Sequence, residues 1–240
     1  MNLVAGRECG DCTVCCVALA IDQPEIQKAP GIVCRHCTGA GCATYETRPT
    51  VCRTFYCHWR TDEELGDHWR PDKSGVLAFV ETEDIPDSFE RSTGIVLLLV
   101  ANPLVTIRER WLQDFVTKSV MRSIPLMLAL SGPSGCGACK ILLNTDEMLA
   151  AIARGTVQTA LEGTLELLQA WDFGPVVLTR RGHHVSDVHD ETHRHATHQE
   201  RLRQPTFAPG ESNSRAPRAW VDPVILRLNF AAAVNESNVP

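Results

Sequence analysis

The stretch Cys9-Gly-Asp-Cys12-Thr-Val-Cys15-Cys16 decides how this chain is interpreted, because it places four thiols within eight residues. Five more cysteines follow by residue 57: Cys34, Cys37, Cys42, Cys52 and Cys57. Thiols gathered this densely need a shared partner, which is either another thiol in a disulfide or a metal. The total of eleven cysteines is odd, which a framework made only of disulfides does not favour.

The N-terminal residues predict a cytosolic protein. Residues 1–8 lack the apolar segment of a signal peptide. The purest apolar run, residues 94–101, has the length of a strand rather than of a membrane span. Thiols stay reduced in the cytosol. We therefore expect metal ligation and no membrane partner, with disulfides, redox-active thiols or inert buried cysteines as the alternatives.

The spacing of the cysteines allows two kinds of metal centre. Cys9, Cys12 and Cys15 match the beginning of the ferredoxin run that holds iron–sulfur clusters, although Cys16 follows at once and the usual fourth cysteine and proline are absent. A tetrahedral zinc site could instead combine the first pair with Cys34-x2-Cys37. Nine cysteines suffice for two four-ligand sites with one left over. Spacing alone does not choose between one cluster and two ions.

Two linked motifs resemble the CxxCxxCC family, the YkgJ-like cysteine-cluster proteins described as chelating zinc or iron. The first motif is the opening run, and the second is Cys42-Ala-Thr-Tyr45-Glu-Thr-Arg48-Pro49-Thr-Val-Cys52-Arg53-Thr-Phe55. The resemblance covers roughly residues 9–60. It implies a zinc or iron–sulfur site whose ligands are Cys9, Cys12, Cys15, Cys16, Cys34, Cys42 and Cys52, with Cys37 or Cys57 as the eighth.

The resemblance leaves the activity open. Most members of the family have no assigned reaction, and some flagellin lysine methylases are similar to it. The leading hypothesis is a metal-binding protein, the second is a cluster-dependent, methylase-like modifying enzyme, and the third is a thiol redox sensor.

Two arginines and a tyrosine of the second motif are expected around the ligands. Arg48 and Arg53 place positive charge near the thiolates, and their N–H groups can donate hydrogen bonds to sulfur. Tyr45 belongs to the same motif. The alternative is that both arginines cap a helix and face water.

Weaker candidates lie further along the chain. Cys136-Gly-Ala-Cys139 is either a metal or redox pair or a plain turn. A polar tract could bind a transition metal or remain solvated, and its candidate ligands are His183, His184, Asp187, His189, Asp190, Glu191, His193, His195 and His198. The net charge of -6 disfavours a nucleic-acid partner.

The apolar pattern predicts an α+β fold. A small, irregular, metal-stapled cysteine module is expected over residues 1–60, and a ββαββα-like module with a mainly antiparallel sheet over residues 72–174. Strands are predicted at 74–81, 93–101, 124–131 and 140–143. Single helices are predicted from Pro103 to before Pro125 and from Asp146 to before Gly174. Residues 178–218 are expected to be a disordered His- and Pro-rich segment, and residues 219–240 a C-terminal apolar segment.

Overall fold

A computed structural model describes residues 2–82, 84–89, 91, 93–176, 178 and 224–226. The chain divides into one compact unit of residues 1–179 and 222–240 and a second of residues 180–221, and all described residues belong to the first. The predictions for the histidine tract and for residues 179–218 therefore lie outside the described residues. The same holds for residues 219–240 apart from Val224–Leu226.

The cysteine-rich segment and the residues that follow it up to 74 contain short elements that the sequence pattern did not predict. They are α1 (Val14–Ala18), β1 (Ile21–Gln23), β2 (Ile26–Lys28), α2 (Thr50–Thr54), α3 (His58–Thr61), a 3-10 turn (Asp67–Trp69) and α4 (Pro71–Ser74). Strands β1 and β2 form an antiparallel hairpin. Elements of three to five residues are too short to produce a periodic apolar pattern.

A mixed sheet forms the centre of the described unit. Its strands are β3 (Val76–Glu81), β4 (Gly94–Leu99), β5 (Leu126–Leu130) and β6 (Ala138–Leu142), in that spatial order. The β3/β4 and β5/β6 pairs are antiparallel, whereas β4 and β5 run parallel. A short strand, β7 (Val224–Leu226), pairs antiparallel with β6. With the N-terminal hairpin, these sheets confirm the predicted α+β class.

Both helices that were predicted to be continuous are interrupted, so their continuity was predicted wrongly. The first divides into α5 (Pro103–Thr106) and α6 (Arg110–Met121), and the Gln113 side chain donates to the Ile107 carbonyl in the gap. The second divides into α7 (Asp146–Arg154) and α8 (Val157–Gln169). Gly155 ends α7 in the left-handed region at φ +70°, a conformation that glycine adopts without strain.

The two faces of the sheet are covered by different parts of the chain. One face packs against α6 and α8, through residues such as Leu112, Leu161 and Leu165. The other face, which includes Leu77 and Phe79, packs against Leu19, Val14, Cys15, Phe55 and Cys57. Burial of each large apolar side chain contributes about 1.5–3 kcal/mol. The cysteine-rich segment is therefore supported by the sheet, with only a small core of its own.

Within the described residues, no helix combines the length and the apolar character needed to cross a membrane.

Candidate metal centre

One cavity brings together nearly all of the N-terminal thiols. Its lining includes eight cysteines: Cys9, Cys12, Cys15, Cys16, Cys34, Cys42, Cys52 and Cys57. The ninth, Cys37, is hydrogen-bonded through its side chain to Cys16. The cavity has a volume of about 100 Å³. Sites for organic ligands are usually about 300–1,000 Å³, so this space suits an ion or a compact cluster.

Helix α1 explains how adjacent cysteines can serve different neighbours. The turn before it is closed by the Cys12 N–H, which donates to the Cys9 carbonyl at 2.9 Å. Successive residues of a helix point about 100° apart. Cys15 accordingly packs with the residues that cover the large sheet, whereas Cys16 packs with the small N-terminal core.

The later cysteines reach the cavity from a turn and from α2. The Cys34 N–H donates to the Cys16 carbonyl at 2.9 Å, which ties the second loop to α1. Cys37 and Cys42 face each other in an isolated antiparallel bridge. Cys52 lies in the first turn of α2, and Pro49 occupies the N-cap position of that helix.

A first thiol group consists of Cys9, Cys12, Cys15 and Cys57. The pKa of Cys57 is raised to about 11, chiefly by burial and also by the nearby thiols Cys9 and Cys12. The pKa of Cys15 is raised by its hydrogen bond with Cys16, by burial and by the proximity of Cys9 and Cys12. These effects require the four thiols to lie near one another. A bound cation would offset their mutual repulsion as thiolates.

A second thiol group consists of Cys16, Cys34, Cys37, Cys42 and Cys52. The pKa of Cys52 is raised to about 11, chiefly by burial and also by the nearby thiols Cys16, Cys34 and Cys42. The hydrogen bond from Cys15 lowers the pKa of Cys16, and Lys28 and Cys37 act in the same direction. The pair Cys15–Cys16 is thus the point at which the two groups meet.

The structure separates the three residues that the second motif suggested as neighbours of the ligands. Arg48 lines the cavity; its Nη1 donates to the Tyr45 carbonyl at 2.5 Å and its Nε to the Cys52 carbonyl at 3.3 Å. Its guanidinium lies 4.0 Å from the centroid of the Tyr45 ring, which also lines the cavity. Arg53 is exposed, donates to Thr50 Oγ1 at 3.1 Å and does not line the cavity.

Two buried cations near the thiols were missed by sequence reasoning. Lys28 is 6 % exposed, and its ammonium donates to the carbonyls of Val17 and Leu19 beside the second thiol group. Arg60 is 7 % exposed and donates from Nη1 to Cys9 Sγ at 3.5 Å. Neither belongs to a recognisable motif, and Arg60 lies 51 residues from the cysteine that it contacts. Only the tertiary fold brings these charges to the site.

Arg60 also provides an observation about what the cavity can hold. Its buried Nε–H has no hydrogen-bond partner in the described part of the chain. A buried donor without a partner costs about 1–3 kcal/mol. Arg60 lines the cavity and its Nη1 donates to Cys9 Sγ, so positive charge lies beside the thiols there.

The second CxxC pair does not join this site. Cys139 is fully buried in β6, and its thiol donates to the Leu168 carbonyl at 3.6 Å. Burial raises the pKa of Cys139 to about 11. Cys136 lies in the preceding turn, opposite Pro175. Neither residue lines the cavity of the N-terminal cysteines.

All eleven cysteines are free thiols. Across the described residues, no three Cys, His, Asp or Glu side chains are already arranged to hold a metal ion.

Comparison of this chain with protein-family models, with curated proteins and with solved structures finds no match. The similarity to the CxxCxxCC family consequently rests on the two motifs and stays a prediction.

Proposed function

We propose that this chain is a metal protein whose N-terminal cysteines hold zinc or an iron–sulfur cluster. The observation that carries the proposal is the gathering of eight free thiols around a cavity of about 100 Å³. In this interpretation the metal staples an irregular module over residues 1–60, whose own core is limited to four buried residues. The ββαββα-like module that follows supports it through the sheet face described above.

We further propose that each thiol group holds its own centre. Cys57 is influenced by Cys9 and Cys12, whereas Cys52 is influenced by Cys16, Cys34 and Cys42. Four thiolates complete a tetrahedral zinc site or hold one iron–sulfur cluster. The first group has four thiols. The second has five, of which Cys37 lies outside the cavity lining and is hydrogen-bonded to Cys16.

Arg60 would hold positive charge beside the first group, because its Nη1 donates to Cys9 Sγ. Thiolate sulfur accepts such a hydrogen bond in a zinc site as well as in a cluster. Hydrogen bonds to cluster sulfur atoms also tune the reduction potential. An iron–sulfur cluster would supply one-electron transfer; the residues of this chain would bind it, shield it from water and hold positive charge beside it.

A cytosolic location belongs to the same proposal. Free thiols in this number persist where glutathione and thioredoxin keep them reduced.

One observation favours a thiol redox sensor as the second candidate function. The hydrogen bond from Cys15 lowers the pKa of Cys16 and so favours its thiolate form, which is the form that reacts with oxidants. Peroxide treatment of metal-free protein, followed by mass spectrometry of intact and reduced samples, would reveal a reversible disulfide. The methylase-like alternative gains no support from any contact described above and stays a prediction.

The proposal is tested by anaerobic purification followed by analysis of zinc, iron and acid-labile sulfide, together with a visible absorption spectrum. We expect stoichiometric metal, with a broad visible band and sulfide if a cluster is present and no colour if zinc is bound. Cys9→Ser with Cys57→Ser should remove about half of the metal, and so should Cys34→Ser with Cys52→Ser. Folded wild-type protein that contains neither metal would contradict the proposal.

A further inference from the structure

A second, much larger cavity lies at the edge of the sheet where the parallel strands β4 and β5 end. Its volume is about 860 Å³, which lies within the usual range for sites of organic ligands. Residues 100–102, which follow β4, and residues 131–132, which follow β5, line it. Ligands commonly bind outside the carboxyl ends of parallel strands, because the connections that leave those ends open a crevice.

Helix α1 lies between this cavity and the candidate metal centre. Val14, Val17 and Ala18 line the large cavity, whereas Cys15 and Cys16 line the cavity of the thiols. The two spaces therefore have separate linings along α1. A ligand in the large cavity would lie beside the metal centre without using its cysteines.

The lining combines both signs of charge with an apolar wall. Asp72, Lys73 and Glu109 line the cavity; Asp72 pairs with Arg70, whereas Lys73 and Glu109 form no ion pair with another described residue. The apolar wall includes Val105, which is 60 % exposed, and Trp111. Trp111 is held edge-on against Trp69, with their ring centroids 4.6 Å apart.

We propose that the large cavity binds an elongated zwitterion with an apolar body, which is the chemistry of a short apolar peptide with free termini. Lys73 pairs with the carboxylate, and Glu109 pairs with the ammonium group. The apolar body lies against Trp111 and Val105. This binding does not depend on which metal the cysteines hold.

The probe for this proposal is trileucine, titrated by calorimetry into anaerobically purified, full-length protein whose metal content has been measured. We expect saturable binding. N-acetyl-trileucine amide has the same body without terminal charges and should bind more weakly. Lys73→Met and Glu109→Gln should each weaken trileucine binding about two- to fivefold, the range for an exposed ion pair.

Matched controls lie away from the cavity. Arg154→Met and Glu166→Gln remove an exposed charge of the same sign and should leave the affinity unchanged. Absence of binding at millimolar trileucine, or equal binding of the capped peptide, would overturn the proposal. Because metal is quantified on the same sample, failure here is distinguishable from failure of the metal proposal.

Discussion

Replacing Cys57 with serine removes one thiolate from the first thiol group while keeping nearly the same side-chain shape. Cys57 lines the small cavity, and its pKa responds to Cys9 and Cys12. The sequence left open whether Cys37 or Cys57 completes the ligand set. The structure favours Cys57, because Cys37 does not line the cavity. We therefore expect Cys57→Ser to weaken metal binding more than Cys37→Ser does.

The size of the effect follows from the ligand number. A structural zinc site contributes about 10–16 kcal/mol of binding free energy at neutral pH. Shared among four thiolates, this is about 3 kcal/mol for each. A loss of that size lowers the metal affinity of the first group about a hundredfold, since about 1.4 kcal/mol corresponds to a factor of ten.

Competition with a chelator under anaerobic conditions measures the affinity of each variant. Cys136→Ser is the matched control, because Cys136 is a half-buried cysteine outside the cavity of the N-terminal thiols. Circular dichroism of the same samples establishes that each variant is folded. If Cys57→Ser retained the affinity of wild type and of Cys136→Ser, the first thiol group would be refuted.

Three further predictions concern the fold. Lys140→Met should lower the free energy of unfolding by about 3–5 kcal/mol, because Lys140 Nζ is buried 2.8 Å from both Glu81 Oε2 and Asp84 Oδ2; an unchanged urea midpoint would contradict this. The pKa of Cys139 rises from 9.0 to about 11 on folding, so the free energy of unfolding should fall as the pH rises through this interval. In urea titrations at several pH values, the free energy of unfolding of Cys139→Ala should fall less over this interval than that of wild type. Gly155→Ala should destabilise the protein by about 1 kcal/mol in thermal denaturation, since residue 155 has φ +70°; an unchanged melting temperature would argue against that conformation.

The central strands could be predicted from the sequence because their apolar runs are long and continuous. Residues 94–99 are buried along their whole length, as expected for an interior strand. The parallel pairing of β4 with β5 was not predictable from these runs, since it depends on where the chain between them crosses. Gly155 carried a usable signal for the helix break, but a single glycine inside a helical pattern is also tolerated.

The candidate site was predictable only where its residues form a motif. The spacing of Cys9, Cys12, Cys15 and Cys16 identified the thiols, but their division between two groups depends on the 100° rotation per residue of a helix that the sequence did not reveal. Arg48 was found through its motif, whereas Arg60 reaches Cys9 only through the tertiary fold. The pattern therefore indicates candidate ligands, and the packing determines which charges lie beside them.

X-ray absorption spectroscopy at the metal edge tests the central claim most directly, because it reports which atoms bind the metal in the purified protein. We predict a first shell made entirely of sulfur, with about four neighbours at about 2.3 Å from each metal ion. In the Cys9→Ser/Cys57→Ser variant, the metal that remains should keep this shell. A first shell dominated by nitrogen or oxygen would instead place the metal outside the cysteine cavity and contradict the account.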